Sequence, residues 1–216
     1  MSKKSIIVYT DGSCSGNGKK NSNGGIGIHF PNGELKDVSK IYRHGDCTNQ
    51  KTELYAILTA IRYIKQNYNI VNRKIIIKTD SEYSINCITK WVNGWIKNGW
   101  KTKSNTPVLN REFIEPIHKY YERYDIEMIH VDAHTGNTDV DSIGNAKADQ
   151  LATKATKRSI DEKRSANPNN KSNIRKPSTS KSARKSSRKP VISNKSYYNG
   201  ILKNEKFIVE LIKAKN

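Results

Sequence analysis

Ser5-Ile6-Ile7-Val8-Tyr9-Thr10-Asp11-Gly12-Ser13-Cys14 opens the readable part of the chain, and Lys74-Ile75-Ile76-Ile77-Lys78-Thr79-Asp80-Ser81 repeats its plan further on. Each is a run of apolar, mostly β-branched residues that ends in Thr-Asp and a small residue. A continuous apolar run of this length reads as a buried strand, here over residues 5–10 and 74–78. An acid at the end of such a strand is held rigidly at a solvent-open sheet edge. After Asp11 comes a Gly-, Ser- and Asn-rich segment to Gly25, which reads as turn. Gly25 to Phe30 alternates small and apolar residues, Pro31-Asn32-Gly33 signals a hairpin, and Leu35 to Tyr42 suits a third strand. The first half therefore opens as an antiparallel meander.

Helices follow. Leu54, Ile57, Leu58, Ile61 and Ile64 recur at three and four residues, with Thr48 or Asn49 as N-cap. Asp80 or Ser81 can cap a second helix that reaches about Trp95, followed by a basic, aromatic loop over residues 97–103. Residues 107–124 read as a helix interrupted or kinked at Pro116, 126–131 as a fifth strand, and 143–156 as a last helix. Strands alternating with helices after a meander predict an α/β layer fold with a five-stranded mixed sheet flanked by helices.

The 216 residues suit one domain with an appendage, and 34% hydrophobic content is low for a chain with a core throughout. The formal net charge is +19 and uneven. Residues 1–156 hold 22 Lys+Arg against 16 Asp+Glu, whereas 157–216 hold 17 against four. Such a basic excess favours a polyanion, nucleic acid first. Residues 157–196, rich in Ser, Lys, Arg, Asn and Pro, read as a disordered basic linker. Residues 197–216 regain apolar spacing and suit a short amphipathic helix, a docking segment for nucleic acid or a protein, or a less polar tail end. Cys14, Cys47 and Cys87 lack metal-ligand spacing and read as reduced thiols of an intracellular protein, in cytoplasm or nucleus. No stretch suits a membrane span, and strand-like sequence from Ser5 leaves no room for a signal peptide.

Two further acids, Glu53 and Asp149, fall inside helical patterns. Taken alone, Asp11 or Asp80 is a turn or helix cap, Glu53 a surface acid and Asp149 a helix-flank charge. Converging, the four make an oxygen-rich site for hard divalent cations, which metal-assisted phosphoryl transfer requires.

Six segments, in order, resemble those of type 1 ribonuclease H. They are Tyr9-Thr-Asp-Gly-Ser-Cys, Thr48-Asn-Gln-Lys-Thr-Glu-Leu, Lys78-Thr-Asp-Ser-Glu-Tyr-Ser, the tract from Ile88 to Thr102, His130-Val-Asp-Ala-His-Thr-Gly, and Gly144-Asn-Ala-Lys-Ala-Asp-Gln-Leu-Ala. The likeness covers about residues 5–156. It implies the ribonuclease H-like fold for residues 1–156 and hydrolysis of the RNA strand of RNA–DNA hybrids, leaving 3′-hydroxyl and 5′-phosphate ends. It also implies two Mg2+ ions, with Mn2+ as an alternative; separately, a monomer is the expected working form. By resemblance Asp11 bridges both metals, Glu53 and Asp80 complete one site, and Asp149 the other. His134 takes a supporting role in proton transfer or product release. The loop from His134 to Asp149 is longer than in shorter family members and holds Asp139 and Asp141, whose role near the metals stays open.

The resemblance also assigns substrate contacts. Asn17, Asn49 and Gln50 match positions that meet the hybrid, where an RNA-cutting enzyme must sense 2′-hydroxyls in the shallow groove. Asn145 matches a position near the scissile strand. Tyr83 and Trp91 match a channel for the DNA strand, with Trp95 beside it and Trp100 structural. Thr48 and Asn110 match residues that grip a DNA phosphate. A basic partner expected near Thr48 is Asp46 here, with Arg43 or His44 as substitutes. Two rivals share this fold: a silent nucleic-acid-binding module, opposed by the four intact acids, and a DNA-directed nuclease or integrase, opposed by the Asn- and Trp-rich segments.

Overall fold

The computed structural model describes residues 5–133 and 136–166. Five strands form one sheet in the order β3-β2-β1-β4-β5. They are β1 (Ile6–Ser15), β2 (Asn23–His29), β3 (Val38–Tyr42), β4 (Ile75–Thr79) and β5 (Ile126–His130). β1, β2 and β3 run antiparallel to their neighbours, and β1, β4 and β5 run parallel. β1 is thus the hinge between the two halves of a mixed sheet, as expected.

Side-chain alternation sorts the strand residues between two helical layers. Ile6, Val8, Ile26, Ile28, Ile75 and Ile77 join Leu54, Ile57, Ile61 and Ile64 of helix α1 (Asn49–Asn67) in the main core. Helix α4 (Arg111–Arg123) closes this core through Phe113, Ile114 and Ile117. The long helix α5 (Val140–Ala166) lies close against β2 on its other face. A Cβ added at Gly27 would stand 1.9 Å from the Ala148 carbonyl oxygen, and one at Gly25 2.5 Å from the Ala155 Cβ. Small residues on both elements let the helix backbone descend onto the strand.

Several boundaries differ from expectation. β1 continues through Asp11 to Ser15 because those residues pair with β2, from Asp11↔Gly27 to Ser15↔Asn23. Cross-strand pairing overrides the turn preference of Gly12 and Ser13. The second helix is broken into α2 (Glu82–Asn86), a π-helical turn (Cys87–Trp91) and α3 (Val92–Lys97). α4 begins at Arg111 rather than near Pro107, since Asn110 is left-handed, with φ 61°. Pro116 lies inside that helix without ending it. α5 begins at Val140, where Asp139 accepts from the Asp141 and Ser142 amides, both at 3.0 Å.

The same helix runs past Thr156, so residues 157–166 are helix and not linker. Ser159 hydroxyl donates to the Asn23 side chain at 3.2 Å, and Lys163 reaches the Ser22 carbonyl at 3.0 Å. Tertiary anchors hold a stretch whose composition alone does not specify a fold. The rest of the expected linker, 167–196, and the segment 197–216 lie outside the described residues.

The cysteine expectation is corrected as well: Cys14 and Cys47 form a disulfide across 33 positions, and Cys87 is a buried free thiol. The extra length of β1 carries Cys14 opposite Gly24. A Cβ on Gly24 would touch Cys47, 3.1 Å away, so the missing side chain opens room for the bridge. The Cα atoms stand 6.2 Å apart, within the span a disulfide bridges. Among the described residues no helix is long and apolar enough to cross a membrane.

Candidate active site

Strand β1 carries Asp11 just beyond the last residue that pairs with β4, Tyr9 opposite Lys78. There the neighbouring parallel strand has ended, and Asp80 follows directly on β4. The gap between diverging chain ends is a usual place for a site in sheets of this kind. Glu53, one turn into α1, reaches the same point, because Gly12 lets the helix approach: a Cβ there would meet the Glu53 amide at 2.3 Å. Each of Asp11, Glu53 and Asp80 offers one carboxylate oxygen, and those oxygens lie within 4.8 Å of one another.

Asp11 and Glu53 are nearly shut off from water, at 6% and 8% exposure. Burial first, then the charges of Asp80 and Asp149, push the Asp11 carboxyl up to about 7. Burial and the Asp11 charge raise Glu53 well above the ordinary carboxylate range. Three acids this close, two of them buried, repel one another, and a divalent cation relieves that repulsion. The fit is also chemical. The donors are all oxygen, as hard cations require, and Glu53 Oε2 is buried with no hydrogen-bond partner among the described residues. The cluster is therefore compatible with divalent metal binding.

Asp149 lies outside this three-acid cluster, on the half-buried flank of α5, where its Oδ1 accepts from the Thr153 hydroxyl at 3.3 Å. It is close enough for its charge to act on Asp11. Asn145, one turn earlier on α5, is 3% exposed and donates through Nδ2 to Asp80 Oδ2 at 3.1 Å. His134 lies outside the described residues.

The expected substrate contacts fall into two groups. Asn17 Oδ1 accepts from the Asn49 amide at 3.0 Å, which ties the β1–β2 loop to the start of α1, beside exposed Gln50. Thr48 is the N-cap of α1, and its hydroxyl accepts from Lys51 N. The second group surrounds the π-helical turn. Tyr83 and Trp91 meet edge-on with ring centroids 6.2 Å apart, and Trp95 lies 5.9 Å beyond Trp91. Asn110 Nδ2 donates to the Tyr83 hydroxyl at 3.0 Å. Trp91 is 42% exposed, whereas Trp100 packs on the core under the Arg111 guanidinium. The basic side chains closest to Thr48 in sequence before it are engaged elsewhere: Arg43 pairs with Glu162 at 2.7 Å, and His44 packs on Tyr42 and Tyr55. Asp46 itself accepts from the Asn21 amide at 2.8 Å.

The acids of the long loop have structural partners. Asp139 caps α5, and Asp141 bonds both the Tyr9 hydroxyl, at 2.6 Å, and the Lys78 ammonium. Lys78 and Tyr9 hold the Asp141 carboxyl below its ordinary range. Of this trio, only Asp141 is singled out by its place in the lengthened loop. For Lys78 the signal in the sequence is a lone cation within an isoleucine strand.

A mixed sheet whose antiparallel and parallel halves part over a cluster of acids, two of them buried, fed from a strand, a strand end and a helix, defines an α/β fold with a metal-compatible acidic site. Comparison with known proteins then fixes the family. The RNase H family model matches residues 3–157. A probable ribonuclease H from Acanthamoeba polyphaga mimivirus is 45% identical over 93% of this chain and 90% of its own. Human ribonuclease H1 is 41% identical over 72% of this chain, which spans about half (51%) of that relative's length. Among solved structures, the PFV RNase H domain aligns with TM-score 0.56 at 25% identity, covering 71% of this chain and 94% of that one. LC9-RNase H1, a type 1 RNase H with the type 2 active-site motif, aligns with TM-score 0.55 at 25% identity, covering 73% and 75%. The chain belongs to the RNase H family, in its type 1 branch, and is a ribonuclease H.

Proposed function

We propose that this enzyme hydrolyses the RNA strand of RNA–DNA hybrids by two-metal-ion catalysis, with Mg2+ as the working ion, leaving 3′-hydroxyl and 5′-phosphate ends. The observation that carries the reading is the convergence of Asp11, Glu53 and Asp80 within reach of a common cation. A foamy viral protease-reverse transcriptase solved with an RNA/DNA hybrid shares the fold, with TM-score 0.56 at 22% identity. Asp11 and Glu53 with Asp80 would hold one ion, and Asp11 with Asp149 the second. Bound there, divalent ions supply activation of the attacking water and neutralisation of the departing oxygen. Asn145 orients the Asp80 carboxylate through its amide. His134 is assigned proton transfer or product release, on its place in the sequence.

The two groups flanking the acids suit the two strands of a hybrid. Asn17, Asn49 and Gln50 present short polar groups and amides to the 2′-hydroxyls of RNA. Tyr83, Trp91 and Trp95 offer faces to deoxyribose and base, and Thr48 and Asn110 contact a phosphate. The test is cleavage of labelled hybrid, duplex RNA and duplex DNA of one sequence with Mg2+. Hybrid alone should be cut, in its RNA strand. Asp80→Asn should lower the rate by at least about two orders of magnitude. Full cleavage by that variant, or equal cutting of duplex DNA, would overturn the assignment.

A further inference from the structure

Two residues before each strand-borne acid stands a residue the proposed chemistry does not use: Tyr9 before Asp11, and Lys78 before Asp80. They are register partners across the parallel β1–β4 pair. Both converge on one carboxylate, Asp141, near the start of α5. The Lys78 ammonium also lies 5.6 Å from the centre of the Tyr9 ring. Tyr9 is fully buried, its hydroxyl also 3.4 Å from the Val140 carbonyl, and its ring carries the helix backbone: a Cβ on Gly144 would fall 2.3 Å from it.

The helical spacing gives this contact its meaning. Asp141, Asn145 and Asp149 stand at i, i+4 and i+8, hence along one face of α5. The first is fixed to Tyr9 and Lys78, the second to Asp80, and the third acts on Asp11. The same three elements that make the contact also deliver Asp11, Asp80 and Asp149, displaced by two residues on the strands and two turns on the helix. A rigid helix transmits rotation or slide at its first turn directly to Asp149.

We infer that Tyr9, Lys78 and Asp141 form a positioning clamp that sets the azimuth and depth of α5, and with them the distance of Asp149 and Asn145 from Asp11 and Asp80. This rests on the proposed two-metal reading, since the clamp's purpose is the Asp149 half of that site. Asp149, like Glu53, comes from a helix, whose approach to the acids is set by packing and not by strand pairing. A buried ring alone allows the helix to slide along it, whereas a paired charge adds a fixed point. The clamp residues act through α5 and are positioning residues, not ligands of the proposed metals.

The test uses the full chain carrying Asp141→Asn, Lys78→Met, Tyr9→Phe, or the exchange Lys78→Asp with Asp141→Lys. Steady-state cleavage of a labelled hybrid is followed against Mg2+ concentration, and Mg2+ binding without substrate by calorimetry. Asp141→Asn and Lys78→Met should each lower kcat about tenfold, leave KM for the hybrid within about twofold, and weaken Mg2+ binding by about tenfold. The exchange should recover most of both losses, and the single changes should be non-additive. Tyr9→Phe keeps the ring and the fold and should lose part of kcat only. A lowered melting temperature with kcat, KM and Mg2+ affinity unchanged would make the trio merely structural and overturn the clamp. If wild-type enzyme bound Mg2+ but cut no hybrid, the functional reading would fall, and calorimetry on the same variants would still decide the clamp.

Discussion

Asp11 and Glu53 are carboxylates placed where water hardly reaches, with further acids on either side. Their raised proton affinities have a consequence for stability without metal. Both groups bind protons more tightly folded than unfolded, so the folded state loses stability as pH rises from the ordinary carboxylate range through about 7, the level of Asp11. Thermal unfolding in chelator should therefore show a lower melting temperature at pH 8 than at pH 5. Mg2+ should raise the pH 8 value more than the pH 5 value, since it binds the ionised site. Asp11→Asn removes one repelling charge and should stabilise the metal-free protein at pH 8 by about 1 kcal/mol, while abolishing cleavage. A metal-free melting temperature independent of pH would contradict this account.

At the scale of elements, the close approach of α5 to β2 decides where Asp149 stands. That approach depends on Gly27, which has no room for a methyl group against the Ala148 carbonyl. The clash is with backbone, so it cannot be relieved by a side-chain rotation. Gly27→Ala should cost about 2–4 kcal/mol in denaturant unfolding. Any surviving folded fraction should show weakened Mg2+ binding, because the helix must move outward. The π-helical turn at Cys87–Trp91 is the second element with a local consequence. The extra residue per turn rotates the following helix and leaves Trp91 exposed beside Tyr83, where an ordinary helix would set a different face outward.

Two features act at the scale of the whole molecule, a covalent bridge and a charge imbalance. The Cys14–Cys47 bridge closes a long loop that contains β2, β3 and the hairpin between them. On chain entropy, reducing it should lower stability by about 4 kcal/mol, read as a shift in urea midpoint with and without dithiothreitol. Cys47→Ala should reproduce the shift and be insensitive to reductant. The second concerns charge. Residues 167–216 hold 13 Lys+Arg against two Asp+Glu. A chain ending at Ala166 keeps the anchors from Ser159 and Lys163, which an end at Thr156 would remove. Hybrid binding by that shorter chain should be weaker and less steeply dependent on salt than binding by the full chain, since fewer counterions are released. Equal affinity and equal salt slope would assign the tail no part in binding.

Much of this was legible from the residues alone. Apolar runs marked the buried strands, three-and-four spacing marked α1, and acids at the strand ends marked the site, because period and burial are local properties of sequence. The order of motifs named the family. Tertiary structure decided the rest. Asp11 lies within a strand and not at its end because β2 continues to pair with β1 beyond the point where β4 stops. Residues 157–166 are helical because Asn23 and Ser22 hold them, and Cys14 meets Cys47 because Gly24 leaves the space. The Tyr9–Lys78–Asp141 contact belongs here too: it joins residues far apart in the chain through strand register and helix phase, neither of which any local pattern encodes. Sequence determined which groups could do the chemistry; packing determined how far apart they stand.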